Sequence, residues 1–272
     1  MMRPGDAFYG PPLAIPIDGG RGYEYPPTRE VFVGVTSVLK ALQKESFVAS
    51  AAKETARLAY QQREALVRLT DEDAALNMLK GARYAALNRG GYRGTVVHRA
   101  IEALATGGTY PQVSPTQAPY VEQALAFADK FAPTFRTIEG TVFNAEHRYG
   151  GTFDFLAEID GLPVLGDWKT APSGVWPESV LQLAALRYAT EIWDPDTGDL
   201  APMPQVAGCV AVHLQPDGYR VIELRADRDQ FEVFVALCRV WDWWRDGGEQ
   251  KGSIGPTLSP LRLSRTFGAV SA

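Results

Sequence analysis

The sequence predicts an α/β (α+β) fold: a central mixed β-sheet of about five strands flanked by helices, with a helical N-terminal portion. Three observations carry this. The chain has 272 residues, 46% hydrophobic and 22% charged, which suits one large globular domain or two small ones. Residues 46–90 are rich in Ala, Arg, Lys, Gln and Leu, a helical texture. From about Gly140 the texture changes to short β-rich runs separated by turn residues.

In chain order, residues 1–30 are rich in glycine and proline and are expected to form an extended arm. Val31–Val35 is expected as a short strand. Thr36 or Ser37 then caps a helix, because a hydroxyl satisfies an orphan backbone N–H. The helices of 46–90 are expected to break at Gly90-Gly91, and another to run from near Thr95 to about Ala105. Thr106–Pro119 reads as a loop and Tyr120–Phe131 as a helix. Thr141–Arg148, Thr152–Ile159 and Leu162–Trp168 read as three strands, and Glu178–Ile192 as a helix. Val206–Leu214 and Tyr219–Leu224 form a hairpin around Pro216-Asp217-Gly218. Gln230–Trp244 places Phe231, Phe234, Val235, Cys238 and Trp241 on one helical stripe. The organisation is therefore an arm over 1–30, one domain over 31–250 (helical over 31–139, αβ over 140–250), and a loose polar tail over 251–272.

Composition excludes several classes. There is no run of 18 apolar residues, so no membrane span is expected. The first twenty residues lack a signal-peptide layout, and a reducing, cytoplasmic setting is the expectation. Cys209 and Cys238 cannot supply a four-thiolate cluster and read as core thiols. No phosphate-binding glycine loop is present. His147 and His213 read as structural or exposed strand residues, and Trp241, Trp243 and Trp244 as core and its cap. Net charge is −5, but residues 1–100 carry 14 Lys and Arg against 10 Asp and Glu. Lys80, Arg83, Arg89, Arg93 and Arg99 follow one another with no acid between them, a track that could line a phosphate backbone or form a solvated helix face.

The most informative segment is Gly150-Gly-Thr-Phe-Asp154 through Asp167-Trp-Lys169. Asp160-Gly161 is a strong two-residue hairpin turn. Counting outward, Ile159 faces Leu162, Leu156 faces Leu165, Asp154 faces Asp167 and Thr152 faces Lys169. Opposed residues share a face, so Asp154, Asp167 and Lys169 point the same way. Opposed carboxylates repel unless something positive offsets them. A divalent cation with oxygen ligands would do so, and Lys169 adds a second positive charge.

Gly-x-x-Asp, 13 residues later Asp-x-Lys, and then a helix carrying Gln182 in Leu181-Gln182-Leu-Ala-Ala resembles the PD-(D/E)XK nuclease superfamily, in its RecB-like and phage-type exonuclease branch. Gly94-Thr95-Val-Val-His98 at a helix start and Thr36-Ser37-Val-Leu near the N-terminus are similar to that branch. The resemblance spans residues from about 30 to 245 and implies a restriction-endonuclease-like core. It implies Asp154, Asp167 and His98 as metal ligands, Asp154, Asp167, Lys169 and Gln182 as catalytic residues, and one or two Mg2+ or Mn2+ ions with no iron–sulfur cluster. Glu102, one turn after His98, and Glu146, on the strand before the hairpin, are candidate supports. Leu186 stands where many relatives have tyrosine, with Tyr188 two residues on.

What the resemblance implies is a metal-dependent exonuclease acting on linear DNA in phage-type recombination or DNA processing, in the host cytoplasm, with a single-strand annealing protein as a possible partner. An endonuclease or repair nuclease on the same fold, and a non-catalytic DNA-binding or assembly protein, are the alternatives.

Overall fold

The computed structural model describes residues 13–42, 45–108 and 110–245, with side chains except at 45–48, 50, 82–93 and 104. The expected tail over 251–272 and the first twelve residues of the expected arm lie outside the described residues. The mixed sheet flanked by helices is present, but it is larger than expected, with ten strands among the described residues. In order these are β1 (Ala14–Ile17), β2 (Gly20–Glu24), β3 (Val31–Gly34), β4 (Thr134–Asn144), β5 (Tyr149–Ile159), β6 (Leu162–Lys169), β7 (Glu191–Trp193), β8 (Leu200–Pro202), β9 (Gly208–Gln215) and β10 (Gly218–Leu224). The helices are α1 (Val35–Val38), α2 (Glu45–Gln61), α3 (Arg63–Arg68), α4 (Glu72–Thr106), α5 (Ala118–Phe131), α6 (Glu178–Arg187) and α7 (Arg228–Arg245).

Four strands are additions to the expected set, and two of them correct the N-terminal arm. Residues 14–24 form a hairpin, with Ile17 opposite Gly20 across the two-residue turn Asp18-Gly19. Tyr23 of the hairpin and Tyr25 just after it pack with Phe32 and Phe143, so burial anchors the segment to the sheet. β7 and β8 pair beyond α6, which ends at Arg187 rather than Ile192.

Two local expectations are also corrected. Gly34, not Thr36 or Ser37, is the N-cap of α1. The Ser37 hydroxyl instead accepts from the Arg21 N–H at 2.7 Å and donates to the Arg21 carbonyl at 2.9 Å, pinning the N-terminal hairpin. Gly90-Gly91 does not break the helix, because α4 runs unbroken over 35 residues. A glycine costs only about 1 kcal/mol in a helix interior, too little by itself to end a helix of this length. α4 packs on α2 and on α5, and Val97, Ala100 and Ile101 sit in a buried cluster with Tyr120, Val121 and Phe127.

The sheet divides at β5. Along one edge β5 pairs antiparallel with β4. Along the other its first residues pair in parallel with β3 (Gly150 with Gly34), and its second half pairs antiparallel with β6 (from Phe155 with Gly166 onward). Between these partners, at Gly151–Asp154, no strand among the described residues borders that edge. One face of the sheet packs against α1, α6 and α7, and a second buried cluster packs against α4 and α5.

Candidate metal centre

The fork in the sheet opens a cleft of about 420 Å3 lined by residues of β2, α1, α4, β4, β5 and α6. The β5–β6 hairpin has the register expected from its turn: Ile159 opposes Leu162 and Leu156 opposes Leu165. Asp160 and Gly161 have φ of 51° and 75°, both left-handed, as a type I′ turn requires. Past Phe155 the strands separate, and the ladder is replaced by a side-chain bond. The Trp168 N–H donates to Asp154 Oδ2 at 2.6 Å.

Asp154 lies beside His98, which arrives from α4. His98 Nε2 is 3.3 Å from the Trp168 carbonyl, and a carbonyl only accepts, so Nε2 carries the proton. The backbone N–H and carbonyl of one residue, Trp168, thus orient both side chains. In the neutral ring Nδ1 then has a lone pair, and it lies 3.5 Å from Asp154 Oδ1 and 3.7 Å from Glu139 Oε1.

Glu139 was not among the sequence candidates. It sits on β4 between Ile138 and Gly140, whose partners Phe155 and Phe153 flank Asp154. Its φ of 51° is left-handed, an unusual conformation for a residue that is not glycine. The position opposite Asp154 would have marked it, had the β4–β5 register been known. Glu146, expected as a support, is an exposed residue of the β4–β5 turn and does not line the cleft. β4 begins seven residues earlier than expected, at Thr134, so Glu139 rather than Glu146 reaches the site. Glu102 does line the cleft, but the bond that holds the imidazole comes from the Trp168 carbonyl.

Asp167 and Lys169 alternate along β6 and share a face. Lys169 Nζ is 2.5 Å from Asp167 Oδ2, a close ion pair. Gln182, projecting from α6, receives a hydrogen bond from Lys169 Nζ at 3.4 Å and donates to Asp167 Oδ1 at 3.3 Å. Asp167, Lys169 and Gln182 therefore form one triangle, and Asp154, His98 and Glu139 another beside it. Leu186, at the position where the resemblance expects tyrosine, lines the cleft, and the Tyr188 ring instead packs on Phe231.

The charges respond to one another. Burial disfavours the His98 imidazolium, but Asp154 and then Glu139 outweigh it and raise the pKa to about 9. Burial raises Asp154 to about 7, opposed by the His98 charge and reinforced by Asp167 and Glu139. Burial works against the Lys169 ammonium too, yet Asp167 and Asp154 hold its pKa above the ordinary lysine value. Burial, and then Glu139, raise the Glu102 carboxyl.

A divalent cation fits these residues. One ligand atom each from His98, Glu139 and Asp154 lies within 4.8 Å of the others. An imidazole nitrogen and two carboxylates suit magnesium or manganese, with imidazole favouring manganese. An imidazole whose second nitrogen donates to a carbonyl is also the usual arrangement around a metal ligand. Without a proton or a cation, three electron-rich atoms would face one another.

Of the basic residues named from sequence, Arg99 lines the cleft and Lys80 is exposed on α4. Arg83, Arg89 and Arg93 lie on the α4 backbone, and their side chains fall outside the described residues. Arg21 and Tyr23 join the cleft wall from β2, with the Tyr23 hydroxyl 3.2 Å from Thr152 Oγ1. The Asp18-Gly19 turn was the sequence cue to that hairpin. Among the described residues no helix is long and apolar enough to cross a membrane.

No protein-family model and no curated protein matches the chain. Among solved structures, the crystal structure of SSO0001 is similar at 13% identity over 53% of this chain and 71% of that one. Its TM-score of 0.28 is too low to support an argument.

Proposed function

We propose that this protein is a metal-dependent deoxyribonuclease that hydrolyses phosphodiester bonds, acting as an exonuclease on linear DNA. The observation that carries the reading is that two groups lie side by side: the His98, Glu139 and Asp154 ligand atoms, and the Asp167–Lys169–Gln182 triangle, whose Gln182 lines the same cleft. His98, Glu139 and Asp154 would hold Mg2+ or Mn2+. The bound cation supplies positive charge against the phosphoryl oxygens and favours ionisation of water. Lys169 keeps its ammonium charged and stands ready to offset negative charge developing on the phosphate. Asp167 and Gln182 hold that ammonium in place from two sides. Trp168 fixes Asp154 and His98 through its N–H and its carbonyl. Arg21 and Arg99, on the cleft wall, offer positive charge to neighbouring phosphates, so the negative net charge does not preclude DNA. The preference for ends, the setting in the host cytoplasm and a single-strand annealing partner rest on the sequence resemblance.

The test incubates end-labelled linear duplex and a closed circle of the same sequence with magnesium, manganese or EDTA, beside Lys169→Ala. Loss of linear DNA alone is expected, with metal only, and at least about 100-fold slower in the variant. Cutting of the circle would move the assignment to an endonuclease. Binding without loss of either DNA would favour a non-catalytic role. Unchanged hydrolysis by a clean Lys169→Ala preparation would remove Lys169 from the mechanism.

A further inference from the structure

His213 is fully buried in β9, next to the site but not lining the cleft. Its backbone is in register with Lys169 on the parallel strand β6, and with Arg220 on the antiparallel strand β10. A buried imidazole is costly unless both ring nitrogens are paired. Here both are. Arg220 Nη2 is 3.1 Å from Nδ1, and Nε2 is 2.8 Å from the Ala171 carbonyl. A guanidinium only donates, so Nδ1 must accept and Nε2 must carry the proton. Arg220 thus selects the tautomer, and the Nε2–H donates to Ala171.

Ala171 lies just past the end of β6. The segment 170–177 has no regular secondary structure and joins Lys169 to α6, the helix that carries Gln182. Glu178, at the start of α6, is close enough to act on the Lys169 charge. The Ala171 carbonyl also accepts from the Gly174 N–H at 3.1 Å, so the His213 bond ties this turn, between two members of the Asp167–Lys169–Gln182 triangle, to β9.

We infer that His213 is a positioning residue: locked in one tautomer by Arg220, it pins the Ala171 carbonyl and so holds Lys169 in register with Gln182. Its effect on turnover rests on the nuclease reading, whereas the pin itself does not.

The experiment uses the full chain as wild type, His213→Leu and His213→Gln. Amide hydrogen exchange is followed over 170–177, and kcat and KM are measured on linear duplex with manganese. The Leu variant keeps an apolar side chain of similar bulk in the core. It is expected to exchange faster in 170–177 alone and to lose kcat by about 10- to 100-fold, with KM within about twofold. The Gln variant restores an N–H at the same reach and is expected to recover protection and most of the turnover. Wild-type exchange in the Leu variant would overturn the inference. So would lost protection with unchanged kcat, or a Gln variant as impaired as the Leu one. If the Leu variant does not fold, Arg220→Met, at an exposed position, takes its place with the same expected exchange and kcat, and wild-type values would overturn the inference. If the wild-type protein cuts no DNA, the nuclease reading falls and exchange alone judges the pin.

Discussion

At the scale of the residue, the cleft stores protons. His98 and Asp154 both hold a proton more tightly than they would in the unfolded chain, His98 to about 9 and Asp154 to about 7. The sign follows from linkage: where the native state binds more protons, stability falls as pH rises. For His98, the stabilisation is complete below its ordinary value near 6.5 and is lost as pH rises to about 9. For Asp154, a cost grows from its ordinary value of 3.8 up to about 7. We therefore expect the thermal midpoint in EDTA to fall between about pH 6 and pH 9. Manganese should flatten that decline, because a cation replaces the proton between the same three atoms. A His98→Gln variant in EDTA should show a much shallower slope. An unchanged slope would mean that His98 is not the group being titrated.

At the scale of the element, the β5–β6 hairpin shows how local sequence positions a carboxylate. The Asp160-Gly161 turn sets the register, and the register brings Asp154 alongside Trp168. Two phenylalanines of β5 lie over glycines of the neighbouring strands. A Cβ at Gly166 would come within 1.8 Å of the Phe155 ring, and one at Gly140 within 2.2 Å of the Phe153 ring. Gly166→Ala is therefore expected to destabilise the protein by about 1–3 kcal/mol. That corresponds to about 2–4 °C in thermal midpoint for each kcal/mol in a chain of this size. Phe155→Leu in the same chain should relieve part of the loss, and additive losses would show that the two positions are not in conflict. Gly161→Ala meets no atom within 4 Å, so its cost should come from the left-handed φ alone, about 1 kcal/mol.

At the scale of the whole molecule, the cleft exists because β5 changes neighbours partway along its length. β3 and β6 share one edge of β5, and the gap between them is roofed by α4 and walled by the N-terminal hairpin. That hairpin carries Arg21 to the cleft, held there by Ser37. With a net charge of −5, the proposed attraction to DNA would have to come from such local positive sites. Arg21→Gln is accordingly expected to weaken duplex binding in EDTA and to reduce the slope of log affinity against log salt by about one unit. An unchanged slope would mean that Arg21 contacts no phosphate.

The sequence by itself determined the features that depend on neighbours along the chain. Period-two alternation and the Asp160-Gly161 turn were enough to put Asp154 near the end of β6 and to keep Asp167 and Lys169 on one face. The mixed sheet with flanking helices was legible from the order of textures, whereas the meeting of Gln182 with Asp167 and Lys169 was implied by the sequence resemblance and depends on how α6 docks. The tertiary structure alone decided the rest. Glu139 enters the site through the pairing of β4 with β5, and Arg21 through a hairpin docked by Ser37 and by aromatic packing. Asp167 turns to Lys169 and Gln182, while Asp154 and Glu139 meet His98. The continuity of α4 across Gly90-Gly91 likewise was not legible from the glycine pair itself. The physical reason is the same in each case. Hydrogen bonds and side-chain period along one strand or helix are set by adjacent residues, whereas the partner a strand takes is set by burial across the fold.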